Sequence, residues 1–294
     1  MTDTITDGPC DTIGAALALA ESVLQPLGEH APVEARRLVA AALRLPVATT
    51  VATAERVLTD AEQVRLRDWL RRRAAGQPLA YLRGEKEFWS LPLLVDPNVL
   101  VPRPETELVV ERALALGTGS GLQVLDLGTG SGAIAAALAR ERRDWQITAV
   151  ERSDAARAVA AKNFARLTPG NVELLPGEWF DALGERQFDM VLSNPPYLAA
   201  NDSALHDDGV RAEPREALVA GASGMEALFF IIANAPMHLR DGGWLILEHG
   251  GTQQRTVADA LANAGFAHVR CHADLAGWPR VSEGRLQGTL RRTL

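Results

Sequence analysis

Cysteine is nearly missing from this sequence: Cys10 and Cys271 are the only two in 294 residues. They lie far apart and without metal-ligand spacing, so neither a disulfide framework nor a zinc site is implied, and a reducing compartment fits. An excess of positive charge is missing too. Thirty Lys plus Arg stand against 37 Asp plus Glu, for a formal charge of −7. A surface for duplex nucleic acid normally comes with a basic domain, so direct nucleic-acid binding is not expected. No apolar run reaches the ~20 residues that cross a bilayer. The stretch Ile13 to Ala20 resembles a signal-peptide core, but Asp3, Asp7 and Asp11 precede it where positive charge is needed, and Glu21 follows. It reads as the buried side of a short helix, and a cytoplasmic protein without membrane contact is expected.

The composition is that of a globular chain, with 47% apolar and 23% charged residues. Low-complexity, collagen-like and coiled-coil readings therefore fail, and the length suits one large domain or a large one with a small companion. Residues 1–78 are Ala, Leu, Arg and Glu rich, with apolar residues three and four apart and interruptions at Pro26, Pro32 and Pro46. This predicts several short helices. The clearest runs from Thr59 to Ala75, with Asp60 as its cap, Val64, Leu66, Trp69 and Leu70 as its apolar side, and Gly76 and Pro78 as its stop. Arg65, Arg67, Arg71, Arg72 and Arg73 ride on it and read as a solvated face sooner than as a docking site. Residues 79–106 gain prolines and β-branched residues. Phe88 to Leu91, Leu93 to Val95 and Val99 to Val101 suggest short extended segments, a hairpin linker.

From 107 to 294 the period alternates. Gln123 to Leu127, Ile147 to Glu151, Val172 to Leu175, Phe188 to Ser193 and Trp244 to Leu247 are short apolar runs separated by helical stretches, which predicts an α/β domain with a parallel sheet. Ligands of such sheets sit at the carboxyl ends of the strands.

Two clusters fall at those ends. Asp126-Leu127-Gly128-Thr129-Gly130-Ser131-Gly132-Ala133 follows the first strand and opens a helix near Ile134. Its glycines allow a sharp turn and close approach of a ligand, and the helix start offers free N–H groups. Glu151 ends the next strand, where a carboxylate can hold two ribose hydroxyls. A nucleoside-bearing cofactor is indicated, and since Gly128, Gly130 and Ala133 also satisfy the dinucleotide fingerprint, a nicotinamide-dependent dehydrogenase competes. The second cluster is Asn194-Pro195-Pro196-Tyr197, directly after the fourth strand. The prolines make a rigid rim with exposed carbonyls. The Asn194 side-chain carbonyl and the Pro195 backbone carbonyl suit the two N–H hydrogens of a planar, weakly nucleophilic nitrogen, with Tyr197 against its plane. The histidines show no metal-ligand spacing, and Ser193 lacks the partners of a nucleophile elbow, so neither a metal centre nor a hydrolase is indicated.

With these motifs in place the chain resembles the class I S-adenosylmethionine-dependent methyltransferases that act on exocyclic or amide nitrogens. Pro102-Arg103-Pro104-Glu105-Thr106-Glu107, Glu248-His249-Gly250, Arg280-Val281 and Gly284-Arg285 narrow the resemblance to the peptide chain release factor glutamine methyltransferases, the HemK/PrmC type. That resemblance implies an N-terminal helical bundle serving substrate recognition, a β-hairpin linker, and a Rossmann-like domain of seven strands with an antiparallel last strand. S-adenosylmethionine would be the cofactor, and the glutamine of the Gly-Gly-Gln loop of class 1 release factors the substrate, with the enzyme a monomer. Residue by residue, Gly128, Thr129, Gly130, Ser131 and Gly132 would cradle the methionine part, Glu151 the ribose and Trp179 the adenine. Asn194, Pro195, Pro196 and Tyr197 would bind the glutamine amide, and Asn194 would also contact the cofactor. Glu151 stands where Asp is usual, and Gly177-Glu178 where Ser-Asp is usual. Arg103 and Glu105 read equally as a cover for the cofactor or as a stitch between linker and domain. Two other readings stay open: the same chemistry on an adenine or guanine amino group, and a protein that only docks on a translation factor.

Overall fold

The computed structural model describes residues 8–288, so Asp3 and Asp7 lie outside the described residues. The chain divides into two compact units, the first comprising the described part of Met1–Gly84 with His206–Ala212, the second the rest.

The first unit is helical: α1 Ile13–Leu24, α2 Ala31–Leu43, α3 Val47–Ala52, α4 Asp60–Ala74 and α5 Leu79–Arg83. Thr12 caps α1 through the Ala15 N–H, and the apolar run that mimicked a leader contributes Ile13, Ala16, Leu19 and Ala20 to the core. In α4 the cap is Thr59, not Asp60. Its hydroxyl accepts from the Glu62 N–H while the Glu62 carboxylate accepts from the Thr59 N–H, a reciprocal capping box. The apolar side also differs from expectation. Leu66 and Leu70, one turn apart, are buried, whereas Val64 lies two residues from Leu66, about 200° round the helix, and is 69% exposed.

The arginines of α4 do not form one solvated face. Arg73 is buried, and its Nε donates to Glu34 Oε1 at 2.9 Å while both Nη atoms bond Asp208. Arg65 donates to the Ala42 carbonyl, and Arg72 pairs with Asp68 and Gln77. Leu79–Arg83, placed from the sequence at the start of the linker, is helical, and Gly84 ends it in the left-handed region at φ 70°.

The second unit opens with a hairpin, β1 Glu85–Phe88 against β2 Leu91–Leu94. Trp89 and Ser90 turn it at φ 51° and 56°, a conformation usually left to Gly or Asn. Val99 to Val101 forms no strand, since Pro97 and Pro102 flank it without N–H donors, although Val99 and Val101 are buried. The order is then α6 Glu107–Leu116, β3 Gln123–Leu127, α7 Ala133–Glu141, β4 Gln146–Glu151, α8 Asp154–Leu167, β5 Val172–Pro176, β6 Phe188–Ser193, β7 Leu198–Ala199 and β8 Val219–Gly221. After these come α9 Glu226–His238, β9 Leu239–Glu248, α10 Gln254–Asn263, β10 Phe266–Ala273 and β11 Pro279–Leu286. Strands order as β10-β11-β9-β6-β3-β4-β5 in a seven-stranded sheet. β11, the last strand, is antiparallel to both neighbours, and the remaining pairs are parallel.

Side-chain alternation divides the core between the two faces of this sheet. Val124, Ala149, Met190, Leu192 and Ile246 pack with α6, α7 and α8, while Leu125, Leu127, Val150, Val191 and Leu247 pack with α9 and α10. Both faces are thus covered, which is why apolar residues dominate these strands. Among the described residues no helix is long and apolar enough to cross a membrane.

The capping box makes a testable difference between adjacent residues. Thr59→Ala is expected to cost about 1 kcal/mol in urea denaturation of the full chain. Asp60→Ala removes only a first-turn charge and should cost roughly half as much.

Candidate active site

β3 pairs with β4 on one side and β6 on the other, so the chain reverses its direction of travel across the sheet between these strands. Their carboxyl ends open a crevice there. Leu127 lies opposite Ser193, and the Ser193 hydroxyl donates to the Leu127 carbonyl at 2.8 Å. This buried bond is the role of Ser193, and it sets the glycine loop beside the Asn-Pro-Pro rim. A cavity of about 600 Å³ lies between them, lined by Gly128, Thr129, Gly130, Ser131, Glu151, Trp179, Asn194, Pro195 and Pro196. Gly132 and Tyr197 are not on its wall.

The loop is held from below. The Thr129 hydroxyl donates to Asp126 Oδ2 at 2.6 Å. Asp126 is otherwise starved of solvation, so burial raises its pKa to about 6. Gly130 N–H donates to Glu151 Oε2 and Ser153 N–H to Oε1, each at 2.9 Å. The Glu151 carboxylate is thereby fixed in plane while each oxygen retains acceptor capacity at the cavity. Gly132 has a different task. It takes φ 86° at the start of α7, and a Cβ there would come within 2.6 Å of the Phe164 ring. Trp179 faces Gly128, at 3.5 Å from where a Cβ would stand. A carboxylate with spare lone pairs, a glycine wall and an indole together fit a nucleoside-bearing ligand.

On the opposite wall Asn194 directly follows β6. Its Nδ2 donates one hydrogen to Thr106 Oγ1 at 3.0 Å, which turns the NH2 end toward Thr106 and leaves Oδ1 as an acceptor. Tyr197 stands behind the rim. Its hydroxyl donates to Glu248 Oε1 at 3.3 Å, and its ring lies against Gly250. Burial and the neighbouring Glu248 push the Tyr197 hydroxyl well above its ordinary pKa. Glu248 is 1% exposed, and burial raises its carboxyl to about 7.

Arg103 bonds Glu213 Oε1 at 2.5 Å, and Glu213 Oε2 accepts from the Val101 N–H, so Arg103 stitches the linker segment to the domain. Thr106 and Phe230 line the cavity without having been singled out in the sequence. Thr106 sits in the Pro-Arg-Pro-Glu-Thr-Glu motif, the one signal that pointed toward it. His249 is fully buried with Nδ1 at 2.9 Å from the Gly250 carbonyl and Nε2 at 2.8 Å from the Ser282 hydroxyl, a structural histidine.

The sheet with its antiparallel β11, the glycine loop after β3 and the acidic end of β4 define the class I S-adenosylmethionine-dependent methyltransferase fold. A methyltransferase from Pyrococcus furiosus shares it, with a TM-score of 0.52 at 21% identity over 67% of this chain and 90% of that one. The family model for the methyltransferase small domain matches residues 106–212, and that for the PrmC N-terminal domain matches residues 15–84. The chain is 49% identical to the release factor glutamine methyltransferase of Salmonella typhimurium over 235 residues, 80% of this chain and 85% of that protein. It is 45% identical to that of Pseudomonas aeruginosa over 260 residues, 88% and 94% of the two chains. The chain belongs to the release factor glutamine methyltransferase family and is an enzyme of methyl transfer.

The two glycines should respond differently to a methyl group. Gly130→Ala costs about 1–2 kcal/mol for the left-handed backbone alone. Gly132→Ala adds the displacement of Phe164, roughly 1–3 kcal/mol more, read as the gap between the two thermal denaturation curves. Asp126 gives a pH signature. Its folded pKa of about 6 exceeds the ordinary aspartate value of 3.8, so the folded state holds a proton that the unfolded state releases. Its contribution to stability is largest below pH ~4 and is lost as pH rises through about 6. Urea midpoints of Asp126→Asn should lack that decline relative to the parent.

Proposed function

We propose that this enzyme moves a methyl group from S-adenosylmethionine to the side-chain amide nitrogen of the glutamine in the Gly-Gly-Gln loop of class 1 release factors. The observation that carries the reading is the polarity of Asn194: with Nδ2 given to Thr106, its free end is a carbonyl oxygen that accepts an N–H. An amide nitrogen offers two such hydrogens, and the Pro195 carbonyl at the same rim suits the second. The assigned relatives, which cover most of this chain, support the same substrate.

Gly128, Thr129, Gly130, Ser131 and Gly132 would form and support the wall for the methionine part, Glu151 would hold the ribose hydroxyls, and Trp179 would flank the adenine. When bound, S-adenosylmethionine supplies an electrophilic methyl group. The amide nitrogen is a poor nucleophile because its lone pair is delocalised. The two carbonyls hold it in line, and orientation of this kind is worth about 7–11 kcal/mol. They also stabilise the positive charge that grows on nitrogen as the N–C bond forms and the sulfonium–methyl bond breaks, and the excess proton passes to water. Tyr197 braces the rim from behind. In this reading residues 1–78 form a substrate-recognition domain, 79–106 a linker and 107–294 the catalytic domain, acting as a cytoplasmic monomer on a protein and not on nucleic acid.

The test is to incubate the enzyme with S-adenosylmethionine and a release factor and to locate the methyl by peptide mass spectrometry. Methyl on the Gly-Gly-Gln glutamine, absent when that residue is Ala, is expected. Labelled DNA or RNA with unlabelled release factor overturns the reading. Asn194→Ala should lower kcat about 10²-fold or more, with thermal stabilisation by S-adenosylhomocysteine retained. Stabilisation by NAD in its place would restore the dehydrogenase alternative.

A further inference from the structure

Glu248 ends β9 and lies behind the cavity wall, and the reaction as described gives it no task. It is nevertheless where both ends of the Asn-Pro-Pro-Tyr rim meet. Tyr197 donates to its Oε1, the Thr106 hydroxyl acts on the same carboxyl as a hydrogen-bonding group and favours its ionised form, and Oε2 has no hydrogen-bond partner among the described residues. Thr106 in turn accepts from Asn194 Nδ2.

A hydroxyl carries one hydrogen and can point it either way, so its direction is set by whichever neighbour has a single role. An ionised carboxylate only accepts. Thr106 therefore gives its hydrogen to Glu248 and keeps a lone pair for Asn194. The Asn194 amide must then turn its NH2 inward and its carbonyl toward the cavity. Both ends of an amide are nearly the same size, and shape alone does not choose between them.

We propose that Glu248 is a positioning residue that sets the direction of the hydrogen-bond chain Asn194 to Thr106 to Glu248, and so makes the rim an acceptor of amide hydrogens. The proposal deepens the glutamine reading and rests on it for its kinetic consequence, but not for the direction of the chain. A neutral carboxylic acid has a hydrogen of its own to give, and the direction is then no longer imposed. The charged and titratable groups around the carboxyl are Arg280 from β11, itself paired with Asp274, Tyr197 from the rim, and Glu105 from the turn before α6. Arg280 favours the ionised form, while burial and Glu105 oppose it. The neighbouring His249 spends its ring on Gly250 and Ser282.

Glu248→Gln keeps the shape and adds an NH2 donor. It is expected to lower kcat for glutamine methylation at least about tenfold while leaving S-adenosylhomocysteine affinity within about twofold. Thr106→Val breaks the same chain from its other end. Added to Glu248→Gln it should cost little more, whereas independent roles would multiply, and Thr106→Ser should restore most of the rate. The parent kcat/KM should fall below about pH 7, and the Glu248→Gln profile should be flat there.

A second measurement needs no substrate. The Asn194 side-chain NH2 signals in a 15N spectrum, identified by their loss in Asn194→Ala, should exchange slowly in the parent and rapidly in Glu248→Gln and Thr106→Val. Unchanged exchange, or an unchanged rate in a parent that does methylate glutamine, overturns the proposal. A parent with the expected exchange that leaves glutamine unmethylated overturns the substrate reading alone.

Discussion

The site depends on the parallel pairing of β3 with β6. That ladder brings Leu127 opposite Ser193, and the Ser193 hydroxyl fastens the two strand ends at the last register position. Everything that follows β3 is then next to everything that follows β6, although 66 residues separate the bonded pair. The glycine loop and the Asn-Pro-Pro rim are neighbours for that reason alone. Slippage of the pair by one residue would turn Leu127 and Ser193 to the wrong faces and disperse the cavity.

Above that foundation two acidic residues do related work at different depths. Glu151 faces the cavity, its oxygens oriented by two backbone N–H groups. Its side chain is thus held by the loop it serves. Asp126 lies beneath and anchors Thr129 at the cost of an uncomfortable burial, seen in its raised pKa of about 6. Gly177 has a physical reason to be glycine: a Cβ there would come within 2.9 Å of the Ala182 Cβ. The neighbouring Glu178 is spent on a surface pair with Arg152.

Much of this was legible in the sequence, and the part that was not has a common cause. The five parallel strands announced themselves because both faces of the sheet are covered, so apolar residues dominate them, with Asp126, Thr148 and Asp189 among the polar exceptions. β3 and β6 fall at the residues read from the sequence. β10 and β11 carry alternating polar residues and were implied only by family resemblance. The cap of α4 went to Asp60 in place of Thr59 because both are good capping residues, and the reciprocal partner Glu62 decides between them. Asn194 could be read from its motif, but Thr106 lies 88 residues away and Glu248 is 51 residues from the Tyr197 it receives. No local pattern connects them. The pairing of strands does.

The central claim is that the rim accepts hydrogens and therefore distinguishes an amide from a carboxylate of the same shape. The most direct measurement is a binding titration, with S-adenosylhomocysteine present, of a release factor and of the same factor with its Gly-Gly-Gln glutamine changed to Glu. The account predicts at least about tenfold weaker binding of the Glu form, which places oxygens against the Asn194 and Pro195 carbonyls. Equal affinity, or a preference for Glu, would contradict it.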